Sequence, residues 1–272
     1  LLKAATGRGP GPVTTVTPVI VGVGLAAGAV VAGNVAAGKV LGGLAQGSRD
    51  LDEAFATPPT NPNVTAGPGS ALTITELGRE GARFVGTVAP PEGIVEVTGK
   101  QPVASPVRVF VGHDSADTPE QRVGLAMAEL RRTGAFDRAH LLVQAPAGTG
   151  YANPTPVDVL ELLTLGDCAS VAVGYGLLPS FLSLNKVPVA SHTQRLLLDA
   201  IYDELSTRTT RPRLLLYGES LGAKVQEAAI PGGPIDLDHY GVAAALWVGS
   251  PGSEASDDFH ARCAGESYTV DR

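Results

Sequence analysis

Cysteine is almost missing from this chain: only Cys168 and Cys263, 95 residues apart and with no CxxC pair. That spacing offers neither a zinc site nor a disulfide scaffold, and it reads as two buried thiols. A basic stripe is missing too. Lys and Arg number 20 against 27 Asp and Glu, giving a net charge of −7, so the clustered cations that displace counterions from nucleic-acid phosphates are not there. No HExxH and no cluster of histidines supports a metal mechanism. No run of Gly, four residues and Gly-Lys-Ser/Thr forms a phosphate loop, and the glycine-rich Gly22 to Gly33 stretch lacks the preceding strand and downstream acid of a dinucleotide site. No metal and no cofactor is therefore expected. The chain begins at Leu1, shows no cleavage-site pattern, and reads as a piece of a longer open reading frame.

The 272 residues are 44 % hydrophobic and 17 % charged, enough apolar side chains for one sizeable core. The 34 glycines and 21 prolines make the chain rich in loops, and no glycine period runs through it. Three regions follow: an apolar helical region at 1–56, a Pro/Gly-rich linker at 57–75, and a globular domain at 76–272. No charge occurs between Gly9 and Gly38, and Val19 to Gly38 is a 20-residue apolar run, long enough to cross a bilayer as a helix. Five glycines and Asn34 weaken the drive for insertion, so a Gly/Ala-rich helix in a soluble core is the competing reading. Thr57 to Ser70, TPPTNPNVTAGPGS, suits neither a helix nor a central strand.

From Pro106 short β-rich runs alternate with capped helical runs, the pattern of a parallel sheet with crossover helices. Strands are expected at Val107 to Val111, His140 to Ala145, Ser170 to Tyr175, Arg213 to Tyr217 and Val242 to Val248. Helices are expected from the Thr118 capping box, from Thr155-Pro156 to Leu163, from Ser191 to about Leu205, and from Leu221 to Ile230. The predicted fold is α/β, a doubly wound, mostly parallel sheet.

The fourth strand runs straight into Gly218-Glu219-Ser220-Leu221-Gly222 and then a helix. A strand, GxSxG, helix sequence is what a nucleophile elbow needs: the serine sits on a tight, strained turn, and side chains at Gly218 and Gly222 would collide. The turn lifts the Ser220 hydroxyl above the sheet and aims the Leu221 amide at any oxyanion formed on attack. The plain alternative is a glycine-rich turn with Ser220 as a helix cap.

Several blocks together resemble the actinobacterial membrane α/β-hydrolase family. They are LGREGARFV from Leu77, DSADT from Asp114, RTGAFD from Arg132, GTGY from Gly148, Leu178-Pro179-Ser180 and the GESLG elbow. The resemblance spans about Leu77 to Gly252. It implies an α/β-hydrolase fold, Ser220 as nucleophile, and Val19 to Gly38 as the tail of a membrane region, hence a location at a bacterial cell membrane.

A triad follows the order Ser, acid, His. After the fifth strand roughly twenty residues remain, too few for the strands that normally present the acid and the base. Asp257 or Asp258 with His260 could form a compressed triad, but they read better as residues on solvated loops, with the acid and base beyond Arg272. The domain is expected to be incomplete at its C-terminus, and the chain itself inactive. The second oxyanion donor belongs to the loop at Gly148 and Thr149, since Ser170 to Tyr175 stands as the strand before the nucleophile strand. His113 precedes the nucleophile and reads as a loop residue at the sheet's edge. The expected activity is hydrolysis or transfer of acyl esters through an acyl-Ser220 intermediate, on a small acyl or lipid-like substrate at a membrane. An inactive binding or structural module that keeps the elbow is the rival.

Overall fold

The computed structural model describes residues 37–264. Residues 44–272 form one compact unit and residues 1–43 another, of which only 37–43 are described, as helix. The apolar run Val19 to Gly38 lies outside the described residues except at its last two positions. Among the described residues no helix is long and apolar enough to cross a membrane.

Helices α1 (Ile74–Gly86) and α2 (Pro91–Thr98) precede β1 (Val107–Val111). There follow α3 (Pro119–Arg132), β2 (His140–Ala145), α4 (Pro154–Leu163), β3 (Cys168–Val173), α5 (Val187–Ser206) and β4 (Arg213–Glu219). Then come α6 (Leu221–Ala229), α7 (Pro234–Tyr240), β5 (Val242–Val248) and α8 (Glu254–Cys263). The five strands are parallel, in the order β1-β3-β2-β4-β5. Helices α3, α5 and α6 pack together on one face, while α1 and α4 meet on the other. This is the doubly wound α/β fold expected from the sequence.

Burial on both faces explains why the inner strands read as apolar runs rather than alternating ones: every residue of β1 and β3 is buried, as is all of β2 after His140. Chain direction in the sheet diverges at β2 and β4, where one strand feeds a helix on one face and the other feeds the opposite face. Open α/β sheets bind ligands in the crevice beyond the strand ends at such a point.

Several expected boundaries move. The third strand is Cys168–Val173 rather than Ser170 to Tyr175, because its pairing starts where His140 of β2 meets Cys168. Helix α5 begins at Val187 rather than Ser191; Pro188, in its first turn, is the start signal. Helix α4 is capped one step earlier, with the Asn153 side chain accepting from the Thr155 amide at 3.0 Å. Cys168 and Cys263 are buried thiols, as expected.

The largest correction concerns 57–75, expected as a linker. Val64 is fully buried and bridges Arg108 on β1. The Thr65 amide donates to the Arg108 carbonyl at 3.1 Å, and the Arg108 amide donates to the Asn63 carbonyl at 3.2 Å. Arg132 on α3 adds bonds to the carbonyls of Pro62 and Val64. A segment that cannot form a long strand therefore covers the outer edge of β1, which would otherwise offer unpaired backbone groups. The compact unit accordingly starts at Leu44 rather than Glu76, and includes the last part of the region expected to be membrane-associated.

Candidate active site

Strand β4 continues two residues further than expected, pairing Gly218 with Trp247 and Glu219 with Val248 of β5. The chain then turns abruptly at Ser220, whose φ of 52° and ψ of −121° lie where L-residues are rarely found. The Ser220 amide donates to the Val248 carbonyl at 2.8 Å, tying the turn to β5. Both glycines are sterically required. A Cβ on Gly218 would lie 2.7 Å from Ala223 Cα, and one on Gly222 would lie 2.3 Å from the Ala145 carbonyl oxygen.

An ordinary N-cap serine has extended backbone and accepts a bond from an amide in the helix's first turn. Ser220 does neither: its backbone is strained and its side chain makes no capping bond. The residue is exposed. The Leu221 amide, at the first position of α6, has no partner within the helix by construction, and it points out of the positive end of the helix.

Ala145, the last residue of β2, pairs with Gly218, so the loop that follows β2 runs beside the elbow. It is a tight turn, closed by the Gly150 amide on the Ala147 carbonyl at 2.9 Å and the Ala147 amide on the Tyr151 carbonyl at 2.8 Å. Gly148 is wedged against the segment after β3, where a Cβ would meet the Leu178 carbonyl oxygen at 2.5 Å and Ser183 Oγ at 2.6 Å. Its amide faces Ser180 Oγ at 3.5 Å. Half-buried Thr149 lines a cleft that extends to His113 and the kink of α1 at Gly78. The structure thus brings Ser220, Leu221, Gly218, Gly222, Gly148 and Thr149 to one end of the sheet.

It does not bring the weak acid and base candidates there. Asp257, Asp258 and His260 lie on a helix rather than the expected loops, started by Ser253, which caps the Ser256 amide at 3.2 Å. Asp257 and Asp258 are exposed, and His260 Nε2 sits 3.1 Å from Glu227 Oε1. Glu227 is seven residues along α6 from Ser220, about 10 Å of helix. It is buried and also accepts from Ser250 at 2.5 Å and Ser256 at 2.8 Å, a cluster that fastens α8 to α6.

The other four histidines stand on other elements. His113 shares Asp114 with Arg49 at the end of β1, three strands and about 14 Å across the sheet from β4. His140 opens β2 at the far end of the sheet. His192 faces Glu120 on α3, and His239, on the short helix α7, stacks on Tyr202.

Sequence reasoning passed over the polar residues flanking the serine. Glu219 accepts from Asn153 Nδ2 at 2.7 Å and from the Tyr217 hydroxyl at 3.2 Å. Burial, reinforced by the Glu219 charge, pushes the Tyr217 phenol up to about 12. The signal was the variable residue of GxSxG, together with Tyr217 two positions earlier on the same strand face. Buried Tyr175, just past the end of β3, was likewise passed over.

Residues 107–268 match the alpha/beta-hydrolase family, and the chain belongs to that family. This membership supports a hydrolase. Neither the curated proteins nor the solved structures include a match to the chain.

Proposed function

We propose that the protein is a serine hydrolase acting on acyl esters, with Ser220 as nucleophile and an acyl-serine intermediate. The observation that carries this reading is the strained, exposed Ser220 between β4 and α6, a conformation costing on the order of 1–3 kcal/mol that an ordinary turn would not retain. In the first step Ser220 Oγ bonds to the acyl carbon and its proton passes to a base. The carbonyl electron pair moves onto oxygen, where the amides of Leu221 and of the Gly148–Thr149 loop supply hydrogen bonds. The pair then returns, the ester C–O bond breaks, and the alcohol leaves with the proton. Water repeats the sequence on the acyl-serine to release the acid.

We assign the base to none of the chain's five histidines, because no hydrogen bond joins any of them to Ser220 and those that are paired meet other carboxylates. The base and acid are placed outside these 272 residues, and Asp257, Asp258 and His260 are given no catalytic part. Apolar acyl substrates at a bacterial membrane fit the resemblance of the chain. The same positions of the histidines favour a second reading, a binding module that retains the elbow without a base.

A fluorophosphonate probe separates the two. In the full-length product carrying this chain, Ser220 should be labelled and Ser220→Ala should not. A folded wild-type protein that resists the probe leaves the binding module as the reading.

A further inference from the structure

We infer that Glu219, the variable residue of the GxSxG elbow, is a positioning residue that fastens the Gly148–Thr149 loop beside Ser220; the inference rests on the serine-hydrolase reading. The face on which Glu219 stands follows from its neighbour. A Cβ on Gly218 would strike Ala223 of α6, so position 218 faces that helix, and positions 217 and 219 face away from it, toward the layer that holds α4. There the Glu219 carboxylate accepts from Asn153 Nδ2 at 2.7 Å and from the Tyr217 hydroxyl at 3.2 Å.

Asn153 is itself tied down. Its Oδ1 accepts from the Thr155 amide at 3.0 Å, and its carbonyl accepts from Gln144 Nε2 at 3.1 Å. Gln144 is buried on β2 and pairs directly with Tyr217 of β4. The loop that carries Gly148 and Thr149 is therefore held at both ends. Where it leaves β2, Ala145 pairs with Gly218; where it enters α4, Asn153 bonds Glu219. These two anchors lie two residues and one residue before Ser220, so both ends of the loop are referred to the serine. Between them the turn is closed by bonds among Ala147, Gly150 and Tyr151, which leaves little slack to absorb a shift at Asn153.

No bond is made or broken at Glu219. Its part is to keep the loop's amides within reach of the charge that develops after attack, where a misplacement of about 1 Å costs on the order of a hundredfold in rate. A carboxylate accepting from an amide N–H makes the shorter and stronger kind of hydrogen bond, which suits that task.

The test is the rate of fluorophosphonate labelling of the full-length product, in which Ser220 Oγ bonds to phosphorus, its proton passes to the base and fluoride leaves. Glu219→Ala removes the acceptor and should slow labelling by roughly tenfold to a hundredfold. Glu219→Gln keeps an acceptor oxygen in place and should recover most of the wild-type rate. Asn153→Asp keeps the cap on the Thr155 amide but sets a second carboxylate against Glu219, and should label as slowly as Glu219→Ala. Combining Glu219→Gln with Asn153→Asp reverses donor and acceptor, so the bond returns and the rate with it. An unchanged rate in Glu219→Ala overturns the inference. A Gln variant as slow as the Ala variant also overturns it, since the charge itself would then be what acts, and so does a paired variant no faster than Asn153→Asp alone. The Gln and paired variants restore the bond, so the test holds even if Glu219→Ala does not fold. Wild-type protein that fails to label at Ser220 removes the hydrolase reading instead, which tells the two failures apart.

Discussion

At the β1 edge of the sheet a full positive charge is buried, and at the end of β4 a neutral hydroxyl stands in the open; the first is satisfied within the protein and the second has no partner there. The Arg108 guanidinium is completely buried, yet every N–H it carries is used. It donates to Glu161 at 2.6 and 2.9 Å, to Asp158 at 2.5 Å, to the Phe84 carbonyl at 2.9 Å and to Thr87 Oγ1 at 2.8 Å. Burial alone would lower its pKa, but the two carboxylates raise it and keep it charged. Glu161 in turn accepts from the Ala89 amide, joining the α1–α2 connection to α4. Ser220 has the opposite character, with strained backbone and no capping bond. Burial and charge alone would have singled out Arg108. A side chain open to solvent on strained backbone is the better place to look for chemistry, since a closed network has nothing left to offer a ligand.

Mutation should separate these regions sharply. Arg108→Leu leaves Glu161 charged and buried without its partner, and should lower unfolding stability by about 3–5 kcal/mol in chemical denaturation. Adding Glu161→Leu should recover much of that loss, because no buried charge then stands alone. If the double variant is as unstable as the single one, the network's contribution lies in its bonds to Phe84, Thr87 and Ala89 and not in the charge pair.

The elbow should respond in the other direction. Ser220→Gly relieves a backbone strain of about 1–3 kcal/mol while adding about 0.5–1 kcal/mol of chain entropy to the unfolded state, for a net gain near 1 kcal/mol. Reactivity toward fluorophosphonate should vanish in the same variant. Equal or lower stability in the glycine variant would mean that the turn stores no strain, and the contrast with Arg108 would lose its physical basis.

Sequence periodicity made the sheet readable because buried parallel strands are short apolar runs, each closed by turn residues, and five such runs matched five strands. The elbow was readable because two glycines and a serine at fixed spacing satisfy a steric need that the structure bears out at Gly218 and Gly222. What escaped depends on distance in sequence. Val64 pairs with Arg108 across more than forty residues, so a Pro-rich stretch reads as linker until β1 is seen to need cover. Arg108, in the middle of an apolar strand, pairs with Glu161 on a helix well downstream. His260 meets Glu227 rather than the neighbouring Asp257 or Asp258, since helix α8 turns those carboxylates to solvent. Spacing locates a nucleophile, whereas the partners of a charge are decided by the fold.

Between the two regions lies a third case, the Arg49–Asp114–His113 group at the end of β1. Burial alone would raise the Asp114 carboxyl, but the hydrogen bonds from Arg49 at 2.6 Å and His113 at 2.8 Å outweigh it and hold the group below its usual range. A depressed carboxyl pKa contributes stability above the unfolded value of about 3.9 and loses it as pH falls through the folded value. The side chains are 38–44 % exposed, so solvent screening holds the contribution below about 1 kcal/mol. Asp114→Asn should therefore lower the denaturation midpoint slightly at pH 7, and the difference should shrink as pH falls below the unfolded value and vanish once it has passed the folded one, where wild type has lost the same charge. A difference that does not shrink with falling pH would assign the effect to packing. Because this histidine–carboxylate pair lies three strands from Ser220, the same variant should leave fluorophosphonate labelling at its wild-type rate. Slower labelling would place His113 within reach of the serine and undo the separation on which the assignment of the base depends.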